Sequence, residues 1–416
     1  MNSNYTEHSI KTLSFGKSVR VKLGMYLSAD LDLALVLGLR ELIYNVTDEY
    51  EQGFGNRLII EIDTKLNKIT CSDNARGIPV GVREDGVNSL VAAFTLPHSG
   101  AKHDTQVYTG AVGINGIGAK VVCHTSEWME VHVNRDGMNY QIRFTESEEG
   151  AVEHPMKVGP SKSKSDSGTT IVYVPSKLVY GDRRINVEAV HNTIRELSYF
   201  TKGMTFILTV DGKSTTYLSK NGLADALETK DRAHKKALYY NSIEGETKVE
   251  LALQWCRNGS ELRPYANNLY VPDGGAFMTG FKTSLTKAFN SVMNVEFSGD
   301  IIRKYLDGYV SVKVKVPQFS NQAKTSLANP EARTATSAAI TTALKQFAAE
   351  NPNDMEKILD LMDREQRAEA AAQRAREAER QVVQGQKKAK MITNLPAKLA
   401  DANGSAYKEL FIVEGK

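Results

Sequence analysis

The segment LGLRELIYNVTDEYEQG, residues 37–53, constrains the fold most, because its apolar and polar residues separate onto two sides of an α-helix. At about 100° per residue, Glu41, Asn45 and Asp48 fall on one stripe roughly 60° wide. The opposite side carries the apolar residues Leu39, Leu42, Ile43 and Val46. On the polar stripe, a carboxylate could polarise a water while the amide oxygen holds a divalent cation. A solvated helix face would show the same spacing, so this segment alone leaves both interpretations open.

Length and composition indicate an ordinary soluble chain. Its 416 residues suffice for two or three domains with substantial cores. With 41% hydrophobic residues, 24% charged residues and a net charge of +3, nothing global marks a nucleic-acid binder, so DNA contact would need a local patch. Three widely spaced cysteines predict a reducing cytoplasm and no disulfide framework. We find no signal peptide, membrane span or zinc-ligand spacing and expect no membrane association.

A second feature is SDNARGIPVG, residues 72–81, which follows the strand-like segments RLIIEID and KITCS. Their β-branched, alternating character predicts an antiparallel pair. Asp73 would then lie at a strand end, where its carboxylate can accept a hydrogen bond from an exocyclic amine such as that of adenine. Gly77 would let the backbone approach a flat ring, and Pro79 would stiffen the exit. The same letters also suit a simple turn.

A third feature is the glycine-rich run YTGAVGINGIGAKVV, residues 108–122, with Gly110, Gly113, Gly116 and Gly118. It precedes a helix expected to begin near Ala119, and Lys102 and Lys120 flank it. Glycines there expose successive backbone N–H groups and can form an anion cradle at a helix N-terminus. The run matches neither of the familiar phosphate-loop patterns. A flexible structural loop is the alternative.

In their order and spacing, these segments and SGTTIVYV at residues 167–174 resemble the nucleotide-binding fold of the GHKL ATPases. That class includes type II topoisomerases, mismatch-repair clamps, certain chaperones and histidine kinases. Within it, the chain is most similar to the ATPase subunit of gyrase and topoisomerase IV. Similar residues run from SNYTEHSIKTL near the start to PAKLADANGSAYKELFIVEG at the end. The resemblance covers nearly the whole chain and implies that ATP and Mg²⁺ are its cofactors.

The resemblance assigns roles to individual side chains. It implies that Glu41 is the general base for the hydrolytic water, that Asn45 is the Mg²⁺ ligand, and that Asp73 anchors adenine. Tyr5 matches a tyrosine of an N-terminal arm that reaches the nucleotide of the partner subunit. Arg135, which follows the strand EVHVN, matches an arginine associated with aminocoumarin contact, so inhibitor sensitivity is a hypothesis.

Further residues complete the implied nucleotide site. The wall around the base and its water network comprises Arg76, Gly77, Ile78, Pro79 and Thr169. The lid over the phosphates comprises Lys102, Tyr108, Gly113, Ile114, Asn115, Gly116, Ile117 and Gly118. Asp48 joins the set from the first helix. Gln322 and Lys324 are the residues expected to reach the γ-phosphate, and Lys324 is counted as catalytic.

Three positions depart from the family pattern. Ala75 replaces the first glycine of D-x-G-x-G and is expected to narrow the adenine pocket. Leu23 in RVKLGMY replaces a proline, and Ala323 replaces the threonine of Q-T-K. None of the three removes a catalytic group, so they indicate a divergent member of the family.

A second domain is expected from residue 220, after the strand TFILTV and the turn DGK. Helical and linker residues would lead to KVELALQW, and YANNLYVPDGGAFMTGF at 265–281 resembles a family signature whose glycine pair marks a turn. YVSVKVKVPQFSNQAK reads as an alternating strand that delivers the loop of Gln322 and Lys324. A lysine on a loop is commonly solvated, but the resemblance favours a γ-phosphate contact. Residues 354–390, rich in Ala, Glu, Arg and Gln, predict an exposed stalk helix.

The end of the chain, KELFIVEGK, resembles the first strand of a TOPRIM domain. Glu414 matches the glutamate that takes part in metal-dependent DNA cleavage, whereas Lys416 does not match the aspartate that follows in the family. The tyrosine that attacks DNA belongs to another subunit in this family. We therefore expect this chain to hydrolyse ATP and not to cut DNA.

Together these observations predict an α+β chain in three parts. Residues 1–219 would form a GHKL (Bergerat) ATPase α/β sandwich with an N-terminal dimerisation arm. Residues 220–392 would form a ribosomal-protein-S5-like transducer domain with the long helix, and residues 393–416 a linker and the first strand of a truncated TOPRIM domain.

The function that these parts imply is an ATP-dependent clamp of a type II DNA topoisomerase. Two copies would bind Mg-ATP, close as a homodimer over a DNA duplex segment, and reset on hydrolysis, in concert with a separate cleavage subunit. One alternative is another GHKL clamp of the mismatch-repair type. A second is a nucleotide-gated decoy module that does not hydrolyse ATP, although retention of Glu41 and Asn45 argues against it.

Overall fold

The structure, a computed structural model, describes residues 12–100, 116–163, 166–227, 231–258, 261–321 and 324–392. The chain divides into two compact units, and the boundary falls after Met355. Both main sheets belong to the first unit. The predictions for Tyr5, Lys102, Tyr108, Gly113, Ile114, Asn115, Gln322 and Glu414 lie outside the described residues.

Within the described part of the chain, nine strands between Arg57 and Tyr217 form one mixed sheet. The strands are β1 (Arg57–Asp63), β2 (Lys68–Asp73), β3 (Ser126–Arg135), β4 (Met138–Ser147), β5 (Gly150–Glu153), β6 (Lys157–Pro160), β7 (Gly168–Pro175), β8 (Thr205–Val210) and β9 (Lys213–Tyr217). Their order is β5-β4-β3-β7-β2-β1-β8-β9, and β6 also pairs with β4. β1 and β2 are antiparallel, with Ile60 opposite Cys71, which confirms the predicted pair. Asp73 is the last residue of β2, so it lies at the predicted strand end.

Helices cover one part of this sheet and build the first core. They are α1 (Phe15–Val21), α2 (Leu31–Glu51), α3 (Ser89–Thr95), α4 (Gly118–His124), α5 (Lys177–Tyr180) and α6 (Val187–Phe200). The carboxylate of Asp30 caps α2 by accepting the backbone N–H groups of Asp32 and Leu33. Leu39 and Leu42 are buried in the core that includes the sheet strands, so α2 is held as a rigid element. The predicted helices at α2 and α4 are confirmed.

A second sheet follows, with strand order β10-β11-β15-β12-β13 in the described residues. Its strands, and the short pair β14–β16 beside it, are β10 (Leu238–Glu244), β11 (Thr247–Trp255), β12 (Leu262–Ala266), β13 (Leu269–Tyr270), β14 (Gly274–Gly275), β15 (Leu306–Lys313) and β16 (Ser326–Leu327). The accompanying helices are α7 (Ala276–Met293), α8 (Gly299–Lys304), α9 (Pro330–Glu350) and α10 (Pro352–Ile392). The interpretation of residues 220–247 as helix and linker was incomplete, because β10 forms a hairpin with β11 there.

The strand predicted to deliver the loop of Gln322 and Lys324 ends earlier than its alternating pattern predicts. β15 ends at Lys313, although the alternating pattern continues beyond it. The side-chain amide of Asn267 accepts the N–H of Val314 at 3.0 Å and donates to its carbonyl at 2.9 Å. These bonds replace the next ladder bonds of the sheet. Lys324 therefore lies on a loop, as predicted, and that loop begins directly after β15.

Direct contacts join the second sheet to the helices of the first. The ring of Phe200, at the end of α6, lies 4.3 Å from the ring of Tyr265 on β12. The ammonium group of Lys313, at the end of β15, lies 2.6 Å from the carboxylate of Glu51, the last residue of α2. The helix that carries Glu41 and Asn45 is thus tied at its far end to the second sheet.

The long helix predicted over residues 354–390 is present as α10. The side chains of residues 366–380 are exposed, as expected for a helix that is rich in Glu, Arg and Ala. Among the described residues, no helix combines the length and the apolar character needed to cross a membrane.

Candidate active site

A cavity of about 470 Å³ lies between α2, the loop after β2 and the start of α4. Its wall contains most of the described residues that the sequence singled out. These are Glu41, Asn45, Asp73, Arg76, Gly77, Ile78, Pro79, Gly116, Ile117, Gly118, Arg135, Thr169 and Lys324. Asp48 is the exception: it is buried, with 4% of its surface exposed, and it lies outside the cavity wall.

The α2 side of the cavity presents Glu41 and Asn45, one turn apart. Both side chains are half-buried. Their backbone cannot shift easily because buried leucines of the same helix anchor its other side in the core. A carboxylate and an amide oxygen are the hard oxygen donors that suit Mg²⁺, which keeps several waters and takes further oxygens from phosphates. The donor set thus fits the metal that the resemblance implies.

The start of α4 closes tightly over Glu41. A methyl group added at Gly118 would lie 2.8 Å from Cβ of Glu41 and closer still to its Oε2, well inside van der Waals contact. Only glycine permits this approach. Gly116, two residues earlier, has a φ of +58°, in the left-handed region that glycine adopts readily. The described end of the glycine run therefore brings backbone directly against the proposed base.

In the same cavity wall, Asp73 is held by backbone donors. Its Oδ1 accepts the N–H groups of Ala75 at 2.9 Å and Thr169 at 3.2 Å. Burial raises the pKa of this carboxyl to about 6, and the two N–H donors only partly oppose that shift. A buried carboxylate of this kind gains from a further donor, which an exocyclic amine can supply.

The loop after Asp73 is shaped by Gly77. Its φ is +74°, and a methyl group there would lie 2.7 Å from the carbonyl oxygen of Asn134. The guanidinium of Arg135 donates to the carbonyl of Gly77 at 2.8 Å. The glycine of the motif is thus needed for both conformation and close approach, and Arg135 fixes the loop from β3.

Ala75, the departure from the family pattern, is accommodated by its backbone. Unlike Gly77, it does not have a positive φ, so an L-residue fits without strain. Its methyl group is part of the cavity wall and is 4% exposed. Narrowing of the adenine pocket by this methyl group stays a prediction.

Glu49 is a cavity residue that the sequence reasoning missed. It lies eight positions after Glu41 on α2, so its side chain points about 80° from that of Glu41 around the helix axis. It forms a two-point ion pair with Arg76, with Nε–Oε2 at 2.8 Å and Nη2–Oε1 at 2.9 Å. The Arg76 guanidinium also lies 4.0 Å from the centre of the Phe54 ring. Glu49 therefore orients Arg76 at the base end, and its helix spacing was a signal that could have found it.

The region of the second sheet contributes Leu269 and Lys324 to the same cavity. Lys324 has a φ of +56°, an uncommon conformation for a lysine, and its N–H donates to the carbonyl of Asn321 at 3.1 Å. Its ammonium lies 6.0 Å from the centre of the Phe319 ring. The loop thus places this cation in the cavity wall despite the early end of β15.

Two more cations line the cavity. Lys120, noted in the sequence only as a flank of the glycine run, is 3% exposed and donates to the carbonyl of Ser99 at 2.7 Å. Arg40, which precedes Glu41, was not singled out at all. Its position is rotated by about 100° from the Glu41 stripe, so helix spacing gave no signal for it.

Known proteins give a consistent comparison. A family model described as DNA gyrase B matches residues 216–378. The chain is 31% identical to DNA gyrase B of Thermotoga maritima, over 99% of this chain and 67% of that protein. It is also 31% identical to DNA gyrase B of Rickettsia prowazekii, over 99% of this chain and 53% of that protein. The chain thus spans between about half and two thirds of the length of these relatives.

Solved structures agree with the sequence relatives. The 43K ATPase domain of Thermus thermophilus gyrase B, in complex with an aminocoumarin, superposes with a TM-score of 0.71 at 27% identity, over 88% of this chain and 98% of that one. The ATP-binding domain of topoisomerase IV from Francisella tularensis, in complex with a small-molecule inhibitor, gives a TM-score of 0.69 at 23% identity, over 83% and 95% of the two chains. The second likeness shows the fold, and both agree with the predicted GHKL architecture.

Proposed function

The chain belongs to the DNA gyrase B family, and from this premise we propose that it is the ATP-driven clamp of a type II DNA topoisomerase. The observation that carries the proposal is the meeting of Glu41, Asn45, Asp73 and Lys324 in one cavity wall. These side chains come from α2, β2 and the loop after β15, and the chemistry of each suits a different part of Mg-ATP. Family membership sets aside the mismatch-repair alternative.

We assign adenine to the end of the cavity at Asp73, whose carboxylate accepts the exocyclic amine. The triphosphate then extends past the backbone of residues 116–118 towards Glu41. Asn45 would hold Mg²⁺, which supplies charge neutralisation for the phosphate oxygens. In this orientation, the flat base lies between the Gly77 loop and the wall that includes Thr169.

Glu41 is the proposed general base. Its carboxylate takes a proton from a water as the water oxygen bonds to the γ-phosphorus, and the bond from that phosphorus to the β–γ bridging oxygen breaks. ADP and inorganic phosphate leave with the charge divided between them. Gly118 supports this role because its close approach limits the positions that the carboxylate can take on that side.

Lys324 is the proposed link between the nucleotide and the second sheet. It would pair with the γ-phosphate while ATP is intact, and hydrolysis removes the charge that it binds. The ion pair between Lys313 and Glu51 ties the same sheet to α2, so loss of the Lys324 contact could rotate that sheet against a fixed point. Movement of this kind would convert hydrolysis into clamp opening.

The larger assembly is part of the same proposal. We propose the domain limits 1–219, 220–392 and 393–416, and a dimer that closes on a DNA duplex segment in the cytoplasm beside a separate cleavage subunit. The family match over residues 216–378 supports a boundary near residue 220. Arg135 lines the cavity, and a related gyrase B domain is known in complex with an aminocoumarin. Aminocoumarins should therefore compete with ATP here, and hydrolysis that is insensitive to them would contradict this part.

The test of the proposed chemistry is the Glu41→Gln variant, which removes the base but keeps the shape of the side chain. Turnover of Mg-ATP should fall by about 100-fold or more, while a non-hydrolysable ATP analogue still binds. Glu61→Gln, at an exposed position on β1, is the matched control and should turn over ATP like the wild type. Near-normal turnover in Glu41→Gln would overturn the assignment of the base. Analogue binding without turnover in the wild type would favour the decoy alternative.

A further inference from the structure

Arg40 is a cation in the cavity wall that the proposed mechanism does not use. It lies on α2 directly before Glu41 and lines the same cavity as Lys324 and Leu269. Its Nε is buried and has no hydrogen-bond partner. Within the described part of the chain, its guanidinium forms no ion pair, and its central carbon lies over the face of the Tyr44 ring, 5.6 Å from the ring centre. An arginine held by an aromatic ring, with its donors unused, is prepared for an anion.

The charge around Arg40 supports the same interpretation. Glu196 on α6 lies in the field of two guanidinium groups, Arg40 and Arg263. Arg263 already has two carboxylates of its own, Asp307 at 3.1 Å and Glu261 at 2.5 Å. Glu196 is thus the nearby carboxylate that is left to balance Arg40. The pKa of Glu196 is nevertheless raised, chiefly by burial, so the compensation between the two is incomplete.

The proposed chemistry needs a second cation at this end of the cavity. Glu41 must be ionised to accept a proton, and its negative charge repels the γ-phosphate that it serves. Lys324 supplies one positive charge as a compact ammonium. A guanidinium supplies another, and its planar fork can donate two parallel hydrogen bonds to phosphate oxygens.

We propose that Arg40 binds the terminal phosphate of the nucleotide from α2, and that the charge of Glu196 partly offsets that of Arg40 until the nucleotide binds. This inference rests on the proposed function, since it deepens the use of the same site. Arg40, on a helix that packs against the first sheet, would then bind ATP more tightly than ADP, because only ATP has the γ-phosphate. Discrimination would then not depend on the second sheet alone.

The experiment measures the affinities of ADP and of the β,γ-imido analogue of ATP for the full chain with Mg²⁺. In Arg40→Gln, affinity for the analogue should fall about ten- to one-hundredfold, as for loss of a charged hydrogen bond, while ADP affinity stays within about twofold. Arg40→Lys should recover part of the loss. Arg195→Gln removes an exposed arginine from α6 beside Glu196 and is the matched control for net charge.

A second arm tests Glu196. Glu196→Gln should tighten analogue binding severalfold in the wild-type background, because no carboxylate at this position would then offset the charge of Arg40. The same change should have no effect in the Arg40→Gln background. Thermal unfolding of each variant shows whether the fold persists.

Each outcome separates the two proposals. Equal weakening of ADP and the analogue in Arg40→Gln, or an unchanged ratio of the two affinities, would overturn the role of Arg40 and leave the proposed function intact. Failure of the wild-type chain to bind either nucleotide would overturn the proposed function and the role of Arg40 with it. A collapsed ratio in Arg40→Gln with partial recovery in Arg40→Lys supports both.

Discussion

Asp73 is a buried carboxyl whose ionised form lowers the stability of the fold and suits the binding of a hydrogen-bond donor such as the amine of adenine. Burial raises its pKa to about 6, above the 3.8 of the free side chain. Its contribution to the free energy of unfolding is therefore fully present below pH 3.8 and is lost as the pH rises through about 6. At neutral pH the ionised group lacks enough donors, and the amine of adenine would supply one.

The affinity for ADP should consequently depend on pH through Asp73. Between about pH 7.5 and pH 5, we expect the dissociation constant to rise about tenfold from protonation of this carboxyl alone. Isothermal titration at the two pH values measures the change. In Asp73→Asn only the phosphates of ADP still titrate, so this variant should show a weaker pH dependence. An equal pH dependence in the two proteins would contradict the role of Asp73.

Gly118 allows a test of the geometry at Glu41 without altering any charge. In Gly118→Ala, the new methyl group would overlap Oε2 of Glu41 and must displace the carboxylate. A displacement of about 1 Å at a reacting group costs about 100-fold in rate, so turnover should fall by that order. Gly159→Ala adds the same methyl group where nothing lies within 4 Å and serves as the control. Steady-state hydrolysis of Mg-ATP compares the two, and equal turnover would place the reaction away from Gly118.

Among the elements, α3, α4 and β5 are linked by hydrogen bonds of one histidine, His124. The Nδ1 of His124 accepts the N–H of Ala151 in β5 at 2.8 Å, so its proton lies on Nε2, which is 3.1 Å from the carbonyl of Thr95. Burial, aided by the charges of Arg20 and Lys120, lowers the pKa of His124. The neutral ring is thus the form that joins α3, α4 and β5.

Acidification should loosen this junction. Because the pKa of His124 is lower in the folded chain than in the unfolded one, its contribution to stability is full above about pH 6.5 and is lost as the pH falls through the folded value. Protonation would break the bond from Ala151, and such a bond contributes about 1 kcal/mol. Asp73 acts in the opposite direction, so urea unfolding of the wild type at about pH 7.5 and 5.5 must be compared with His124→Asn. That variant should lose less stability on acidification, whereas the exposed control His154→Asn should behave like the wild type.

Local patterns predicted the elements whose neighbours agree with them. α2 follows from the separation of Leu39 and Leu42 from Glu41 and Asn45, and the β1–β2 pair follows from alternation. The residue at which β15 ends could not be predicted from the local pattern. The pattern VSVKVKV continues past Lys313, but Asn267, distant in sequence, takes the backbone groups of Val314.

The residues of the candidate site also divide into those that local sequence patterns predict and those that depend on distant residues. Residues on the α2 stripe and at the end of β2 were predictable because local periodicity and turn chemistry place them. Arg40 was not, because it reaches the cavity from the side of the stripe. Asp48 lies on the polar stripe but is buried outside the cavity wall, which helix spacing does not reveal. Whether a side chain reaches a shared cavity depends on the partners that cover it, and those come from distant parts of the chain.

At the scale of the whole molecule, α2 and the region of the second sheet meet at two places. α2 holds Glu41 and Asn45 in the cavity and ends at Glu51, which pairs with Lys313 of the second sheet. Lys324 returns from that sheet into the same cavity. In the proposed function, the state of the nucleotide would reach the second sheet through the Lys324 contact with the γ-phosphate, while the Lys313–Glu51 ion pair stays in place. The proposed clamp uses this connection in each of two copies.

The central claim is that two copies must close together for ATP to be hydrolysed. The most direct test is the steady-state rate of Mg-ATP hydrolysis per subunit, measured across a range of protein concentrations. We expect a rate per subunit that rises with concentration and levels off once the chain is dimeric. A rate per subunit that is the same at every concentration, in a chain that stays monomeric with the β,γ-imido analogue of ATP, would contradict the clamp.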